Sequence, residues 1–335
     1  MLLSIRNLGV QFWSPRGIVR AVREVSLDVR EGEIAGIAGE SGSGKSVTCM
    51  AVMGLLPERF SHVTGSIRLE GRELLDLPET ERRRLRGRTL AMIFQDPSSC
   101  LDPIRRIGSQ ITEALRLTHP KASRNELRDR ARKLLRRTGI ADSARRMDEY
   151  PHQLSGGMNQ RVMIAMALAC SPRLLFADEP TTALDVTTQA QILDLLRSLS
   201  EERRMAVVLV THDLGVMAQT ADRVAVMYAG SIVENAPVRE LFSHPAHPYT
   251  RALLKACPRT DITVRRLEAI AGTVPPLTSV MPGCSFAPRC REAAGECSQT
   301  VPSLRPLHCD TPSNIPDGAE EHVCACHRIS LGRAS

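Results

Sequence analysis

The stretch Gly39-Glu40-Ser41-Gly42-Ser43-Gly44-Lys45-Ser46 follows a strand candidate, Glu33 to Ala38, and leads into a helix-compatible segment ending near Leu56. The spacing G-x-x-x-x-G-K-S at a strand-to-helix turn is that of a phosphate loop. Glycines let the backbone approach closely, so amides from Gly42 through Val47 can turn inward on a polyphosphate. The helix N-terminus adds the positive end of its dipole. Lys45 is placed to reach the β- and γ-phosphates and Ser46 to ligate Mg²⁺. A glycine turn that merely opens a helix has no use for the lysine.

The next strand candidate that carries chemistry is Leu174 to Ala177, which ends in Asp178-Glu179. In open α/β sheets ligands bind at the carboxyl ends of the strands, so both carboxylates are expected there. Asp178 is expected to hold the Mg²⁺ shell. Glu179, free of the metal, is placed to polarise the attacking water.

Up to about residue 243, β-branched runs alternate with amphipathic helical stretches, the signature of an α/β domain with a largely parallel sheet. Leu90 to Phe94 and Ala206 to Val210 are further buried strand candidates. Arg223 to Met227 and Ser231 to Glu234, joined through Ala229-Gly230, read as a hairpin, and Leu3 to Phe12 with Val22 to Val29 as an antiparallel flank. From about Pro97 to Met166 the strand signal gives way to a helical insertion. There Ser123 and Glu126 have capping-box spacing, with Leu127, Ala131, Leu134 and Leu135 as the apolar stripe behind them. Twelve of the 21 prolines lie from Pro237 onward. Residues 244–335 are therefore expected to form a separate, loop-rich extension without long regular elements.

Of the 335 residues, 42% are hydrophobic and 24% charged, the balance of a chain that buries a core. No apolar run is long enough for a membrane-spanning helix, and the opening segment lacks the basic end and apolar block of a secretory signal. A soluble, cytosolic chain is expected. Forty-four Lys and Arg against 37 Asp and Glu leave a charge of +7, too thinly spread to imply nucleic acid. The basic runs Arg82 to Arg88 and Arg124 to Arg137 alternate with Leu and Ala at helical spacing. They read as solvated helix faces, with contact to anionic lipid or an acidic partner as the alternative.

Between the phosphate loop and Asp178-Glu179 lies Leu154-Ser155-Gly156-Gly157-Met158-Asn159-Gln160. With it, the chain resembles the nucleotide-binding subunits of ATP-binding cassette (ABC) transporters over almost all of residues 1 to 243. Gln95 resembles the family's Q-loop, Ala183-Leu184-Asp185 its D-loop and His212 its switch histidine. The resemblance implies a cassette fold with a helical subdomain at about 97–166. It also implies that Ser155, Gly156 and Gly157 at a helix N-terminus meet the γ-phosphate of ATP held by a second subunit. Phe12, with Trp13 beside it, would stack on adenine, unless it is simply a packed core aromatic. Gln95 would join Mg²⁺ and water to the membrane-facing helices, His212 would contact the γ-phosphate, and Ser41, Ser43 and Asp185 would complete the nucleotide site.

Narrower features resemble the dipeptide and oligopeptide importer group: Ile93 to Pro103, Leu154 to Ala167 and His247 to Leu254. That resemblance implies an ATPase at the cytoplasmic face of the membrane. Its partners would be a paralogous ATPase chain, two membrane-spanning permease subunits and an extracytoplasmic binding protein. Three residues depart from the group's pattern: Asn159 in place of arginine, Cys100 in place of Ser or Thr, and Asp102 in place of Asn. Nickel chelates, glutathione and sugar oligomers are alternative cargoes. A soluble ABC ATPase acting on ribosomes or DNA is the rival of another class, but those relatives carry tandem cassettes or a long coiled-coil insertion that this chain does not show. An iron–sulfur electron carrier with a vestigial cassette conflicts with the full set of catalytic residues.

Seven of the ten cysteines fall from Cys257 onward. In a cytosolic chain such crowding reads as a metal site before a disulfide framework. The pattern Cys284, Cys290, Cys297 and Cys326 again resembles the peptide-importer tail and implies a four-iron, four-sulfur (4Fe-4S) cluster. Four thiolates also suit zinc, so a structural zinc site remains the alternative, with Cys309, Cys324, His322 and His327 as competing ligands.

Overall fold

The computed structural model describes residues 1–15, 17–182, 184–256, 270–279, 281–307 and 322–329. Ala183, Cys257 and Cys309 lie outside the described residues. Along the first half of the chain run β1 (Leu3–Ser14), β2 (Gly17–Val29), β3 (Ile34–Ala38), α1 (Lys45–Met53), β4 (Ser61–Leu69), β5 (Arg72–Glu73), α2 (Glu79–Leu85), β6 (Leu90–Ile93), α3 (Pro97–Cys100), α4 (Ile107–Arg116), α5 (Arg124–Arg137) and α6 (Ser143–Arg146). The second half holds α7 (Gly156–Leu168), β7 (Leu174–Asp178), α8 (Val186–Arg203), β8 (Ala206–Thr211), α9 (Leu214–Thr220), β9 (Arg223–Tyr228), β10 (Ser231–Pro237), α10 (Val238–Ser243), α11 (Pro248–Ala256), β11 (Arg305–Pro306) and β12 (Val323–Cys324). They fall into two compact units. One comprises Met1–Leu2, Val29–Ile34 and Arg72–Val210; the other comprises Leu3–Asp28, Ala35–Gly71 and Thr211–Ser335.

In the first unit β6, β7 and β8 pair in parallel, with Leu90 opposite Leu174 and Leu174 opposite Ala206. Every residue of these strands is buried, as a parallel sheet covered on both faces requires. The helical insertion has its own core. Ile107, Ile111 and Leu115 recur every fourth residue on α4 and meet Leu127, Ala131 and Leu135 of α5 and Val162, Ala165 and Ala169 at α7, with Leu134 partly buried against them. Each fully buried aliphatic side chain there contributes about 1.5–3 kcal/mol. The expected capping box forms: Ser123 Oγ accepts from the Glu126 amide (3.2 Å), and Glu126 accepts from the Ser123 amide (2.7 Å). The basic runs are solvated faces, with Glu79 paired to Arg82 and Arg86, and Asp148 to Arg128.

In the second unit β3 pairs in parallel with β9, Ala35 opposite Arg223. Here β9 and β10 form the expected hairpin. Its turn residues Ala229 (φ 46°) and Gly230 (φ 90°) are both left-handed, as a two-residue connection matched to strand twist demands. The antiparallel flank has the order β2-β1-β4. Its member β4 went unread because only its last residues alternate, its first half being largely exposed. The helix after the phosphate loop stops at Met53 rather than near Leu56, since Gly54 (φ 62°) takes the left-handed C-cap.

The loop-rich tail contains short elements that the proline count obscures. α11 begins at Pro248, and the tail strand β12 pairs with β10, Glu234 opposite Cys324. Tyr228, Tyr249 and Phe286 meet at ring separations of 4.6–5.4 Å, which packs the tail onto β9.

Candidate functional site

The phosphate loop belongs to the second unit, where β3 delivers it at the sheet edge. Gly39 has φ 152°, and a Cβ there would stand 2.2 Å from the Met227 carbonyl oxygen of β9. Gly44 (φ 104°) is equally confined, 2.5 Å from the Ala21 carbonyl. These glycines are therefore demanded by conformation and crowding together. Lys45 is buried, and its Nζ donates to the carbonyls of Gly39 (2.8 Å) and Glu40 (3.0 Å). Gly44 is the N-cap of α1 and no side chain caps the helix, so its first turn opens directly from the loop. Ser43 is buried with its Oγ unpartnered, a polar atom suited to an acceptor-rich ligand.

In the first unit β7 ends on Asp178, which is 4% exposed. Glu179 follows in the left-handed region (φ 48°), pinned by its amide donating to the Val210 carbonyl at 2.8 Å. A non-glycine residue held there costs on the order of 1 kcal/mol, and such strain gathers at functional positions. Gln95 and Glu179, 84 residues apart, are brought together: Gln95 Nε2 donates to Glu179 Oε2 at 2.8 Å. The same oxygen accepts from Thr182 Oγ1 at 2.9 Å, and buried Gln160 donates to the Pro180 carbonyl at 2.6 Å, holding the turn after the carboxylates. Neither Thr182 nor Gln160 had been assigned a role. The arrangement gives one oxygen of the Glu179 carboxylate two side-chain donors from different parts of the chain.

Ser155 is the N-cap of α7, accepting from the Met158 amide, with Gly156 and Gly157 as the first helical residues. Asp185 caps α8 through the Thr188 amide (2.9 Å) and hydroxyl (2.7 Å), and these hydrogen bonds hold its carboxyl below the ordinary range. Asn159 donates to the Pro151 carbonyl at 3.0 Å. Asp102 accepts from the Ile104 amide, so an aspartate forms the turn that asparagine would form. In the second unit His212 is exposed just before Asp213, the N-cap of α9. Phe12 is half-buried on β1, whereas Trp13 beside it is 51% exposed.

The tail brings Cys284, Cys290, Cys297 and Cys326 to the lining of one small pocket, with His247 and His327. Cys324 is fully buried and does not line it. Each of the four sulfurs faces backbone amides: Cys284 those of Phe286 and Ala287, Cys290 that of Glu292, Cys297 that of Ala294 and Cys326 that of Arg328. Burial nevertheless pushes the thiols of Cys284, Cys290 and Cys326 up. Thiolates here need a compensating cation. A Cβ on Gly283 would lie 2.3 Å from the Cys297 carbonyl, so the two cysteine segments touch through backbone. Among the described residues no three His, Cys, Asp or Glu side chains form a group able to hold a metal ion, and Cys309, one of the competing ligands, lies outside them. Four amide-facing cysteine sulfurs around one pocket are the donor type that an iron–sulfur cluster and a zinc site both use.

Missed in the sequence was the buried carboxylate of Glu234. It accepts from the amides of Ala246 (2.7 Å) and His247 (2.9 Å) and pairs with His322 (2.7 Å). Burial alone would raise it, but these hydrogen bonds outweigh burial and hold its carboxyl below the usual range.

Residues 22–182 match the family described as ABC transporter, and residues 233–297 the one described as Oligopeptide/dipeptide transporter, C-terminal region. The chain is 49% identical over 330 residues to the probable peptide ABC transporter ATP-binding protein y4tR of Sinorhizobium fredii, spanning 98% of this chain and 95% of that one. Identity is 47% to the oligopeptide transport ATP-binding protein AppD of Bacillus subtilis, covering 90% of this chain and 92% of the relative. It is 46% to the dipeptide transport ATP-binding protein DppD of Haemophilus influenzae, covering 93% and 96%. The dimeric ATP-binding cassette MJ0796, solved in a post-hydrolysis state with ADP and Pi, superposes with a TM-score of 0.65 at 31% identity, over 71% of this chain and 99% of that one.

Proposed function

This chain belongs to the ATP-binding subunits of ABC transporters and is an ATP-hydrolysing cassette, and from that premise we propose that it couples ATP binding and hydrolysis to the uptake of di- or oligopeptides. The observation that carries the motor is Glu179, strained at the end of a buried strand and held by Gln95. The match of the tail to the oligopeptide/dipeptide transporter region and the names of the relatives support the cargo.

In this reading Gly39, Ser41, Gly42, Ser43, Gly44, Lys45 and Val47 cradle the phosphates, and Ser46, Gln95 and Asp178 would hold Mg²⁺, which supplies charge neutralisation on the transferring phosphoryl group. Glu179 orients the attacking water and takes its proton. Phe12 stacks on adenine and His212 meets the γ-phosphate. Ser155, Gly156, Gly157 and Asp185 face the nucleotide of a second, paralogous ATPase chain, and two permease subunits and an extracytoplasmic binding protein complete the importer. No helix among the described residues is long and apolar enough to cross a membrane. A peripheral position on the cytoplasmic face, docked on the permeases, is the arrangement we infer.

The experiment is a Glu179→Gln variant assayed for both binding and turnover. It should retain MgATP while losing nearly all hydrolysis; ordinary turnover would remove Glu179 as the base. For the tail, we infer a 4Fe-4S cluster held by Cys284, Cys290, Cys297 and Cys326, which when bound supplies a covalent staple to a segment with little core of its own. Iron and acid-labile sulfide after anaerobic purification test it, and zinc without sulfide would contradict it.

A further inference from the structure

Glu40 is the second residue of the phosphate loop, and an acidic side chain there stands against the anion that the loop is built to receive. The tail answers it. Arg289, one residue before Cys290, has a side chain only 4% exposed and forms a two-pronged ion pair with the Glu40 carboxylate at 2.7 and 3.0 Å. The remaining donors of the guanidinium are also used: Nε reaches the Ala271 carbonyl at 3.0 Å, Nη2 the Ile270 carbonyl at 3.3 Å, and Nη1 the Tyr228 hydroxyl at 3.3 Å. Its geometry is thus fixed independently of Glu40, as planar fork recognition of a carboxylate favours.

The backbone of Glu40 is gripped as well. Its amide donates to the hydroxyl of fully buried Tyr249 at 2.9 Å, and its carbonyl accepts from Lys45 Nζ at 3.0 Å. One loop residue therefore links Lys45 to two tail residues, Tyr249 and Arg289. A loop whose function ended at its own backbone would need neither.

We propose that Arg289 is a positioning residue for nucleotide binding, cancelling the Glu40 charge within the phosphate loop, so that the tail takes part in setting the affinity for MgATP. The proposal rests on the reading of residues 39–46 as the phosphate loop. Without Arg289, the Glu40 carboxylate is left uncompensated beside a polyphosphate, and like charges in a partly buried setting repel.

The test is equilibrium binding of the non-hydrolysable analogue AMP-PNP with Mg²⁺ to the full chain. Arg289→Ala should weaken binding roughly tenfold, and adding Glu40→Gln to it should restore binding to within about threefold of the wild type, the coupling expected of residues that act through one another. Glu40→Gln alone, which leaves the tail intact, should bind as tightly as the wild type or tighter. Unchanged binding in Arg289→Ala overturns the proposal. So does a double variant as weak as Arg289→Ala, which would make Arg289 only a brace of the tail. Should Arg289→Ala not yield folded protein, Glu40→Gln decides alone, since weakened binding there contradicts the charge account. Lys45→Ala separates the two readings: undiminished binding in that variant would remove the phosphate-loop assignment itself, whereas its loss with normal Arg289→Ala binding removes only the tail coupling.

Discussion

Glu179 is the residue we propose as the base for hydrolysis, and its surroundings predict how its neighbours should behave. Thr182→Val removes one of the two donors to its Oε2 while keeping side-chain volume. Turnover should fall by about tenfold with MgATP affinity within about twofold, because the donor orients the carboxylate proposed as the base. Single-turnover hydrolysis alongside equilibrium binding checks this; an equal loss in both would place Thr182 in the binding surface instead. Lys45, Asp178 and Glu179 were legible in the sequence because each sits at a fixed offset from a strand end. Thr182 follows Glu179 by three residues, but without the left-handed turn at Glu179 nothing directs its hydroxyl there. Glu40 and Arg289 are 249 residues apart, a pairing that local pattern cannot reveal.

At the scale of elements, periodicity served where one face is buried and failed where it is not. The capping box at Ser123 and the stripe on α5 were legible, since i, i+4 spacing and a cap are local signals. Ser123→Ala should cost about 1 kcal/mol, read as a lower midpoint in denaturant unfolding, whereas Leu127→Ala, opening a cavity in the helical core, should cost about 2–5 kcal/mol. Equal effects would mean that the helix is held by its cap rather than by packing. The strand β12 was illegible: two residues leave no alternation, and its attachment depends on Glu234, which is wholly buried. Glu234→Ala strands the amides of Ala246 and His247 and the ring of His322, so a loss of about 3–5 kcal/mol is expected. The carboxyl of Glu234 is held below its ordinary value, so the unfolded chain binds the proton more readily. Its stabilising contribution is therefore present above the usual carboxylate range and is lost as pH falls below it. Thermal unfolding of the wild type and Glu234→Ala from pH 7 to pH 3 should show their difference shrinking in acid; a constant difference would contradict the ionised carboxylate.

Across the whole molecule, the nucleotide motifs of the sequence fall in both compact units. The phosphate loop and His212 lie in one, and Gln95, Ser155, Asp178 and Glu179 in the other. Sequence order made this set recognisable because the signals come in series along the chain. The individual peptide is not legible, because the residues read here serve ATP and in the proposed importer the selecting pocket would belong to other subunits. Peptide uptake therefore rests on the tail and on relatives. The most direct measurement is ATP hydrolysis by the membrane complex containing this chain, with and without its binding protein loaded with mixed short peptides. Stimulation that requires peptide and disappears in Glu179→Gln is the predicted result. Hydrolysis that depends on Glu179 but never responds to peptide would contradict the cargo, and hydrolysis indifferent to Glu179 would contradict the motor.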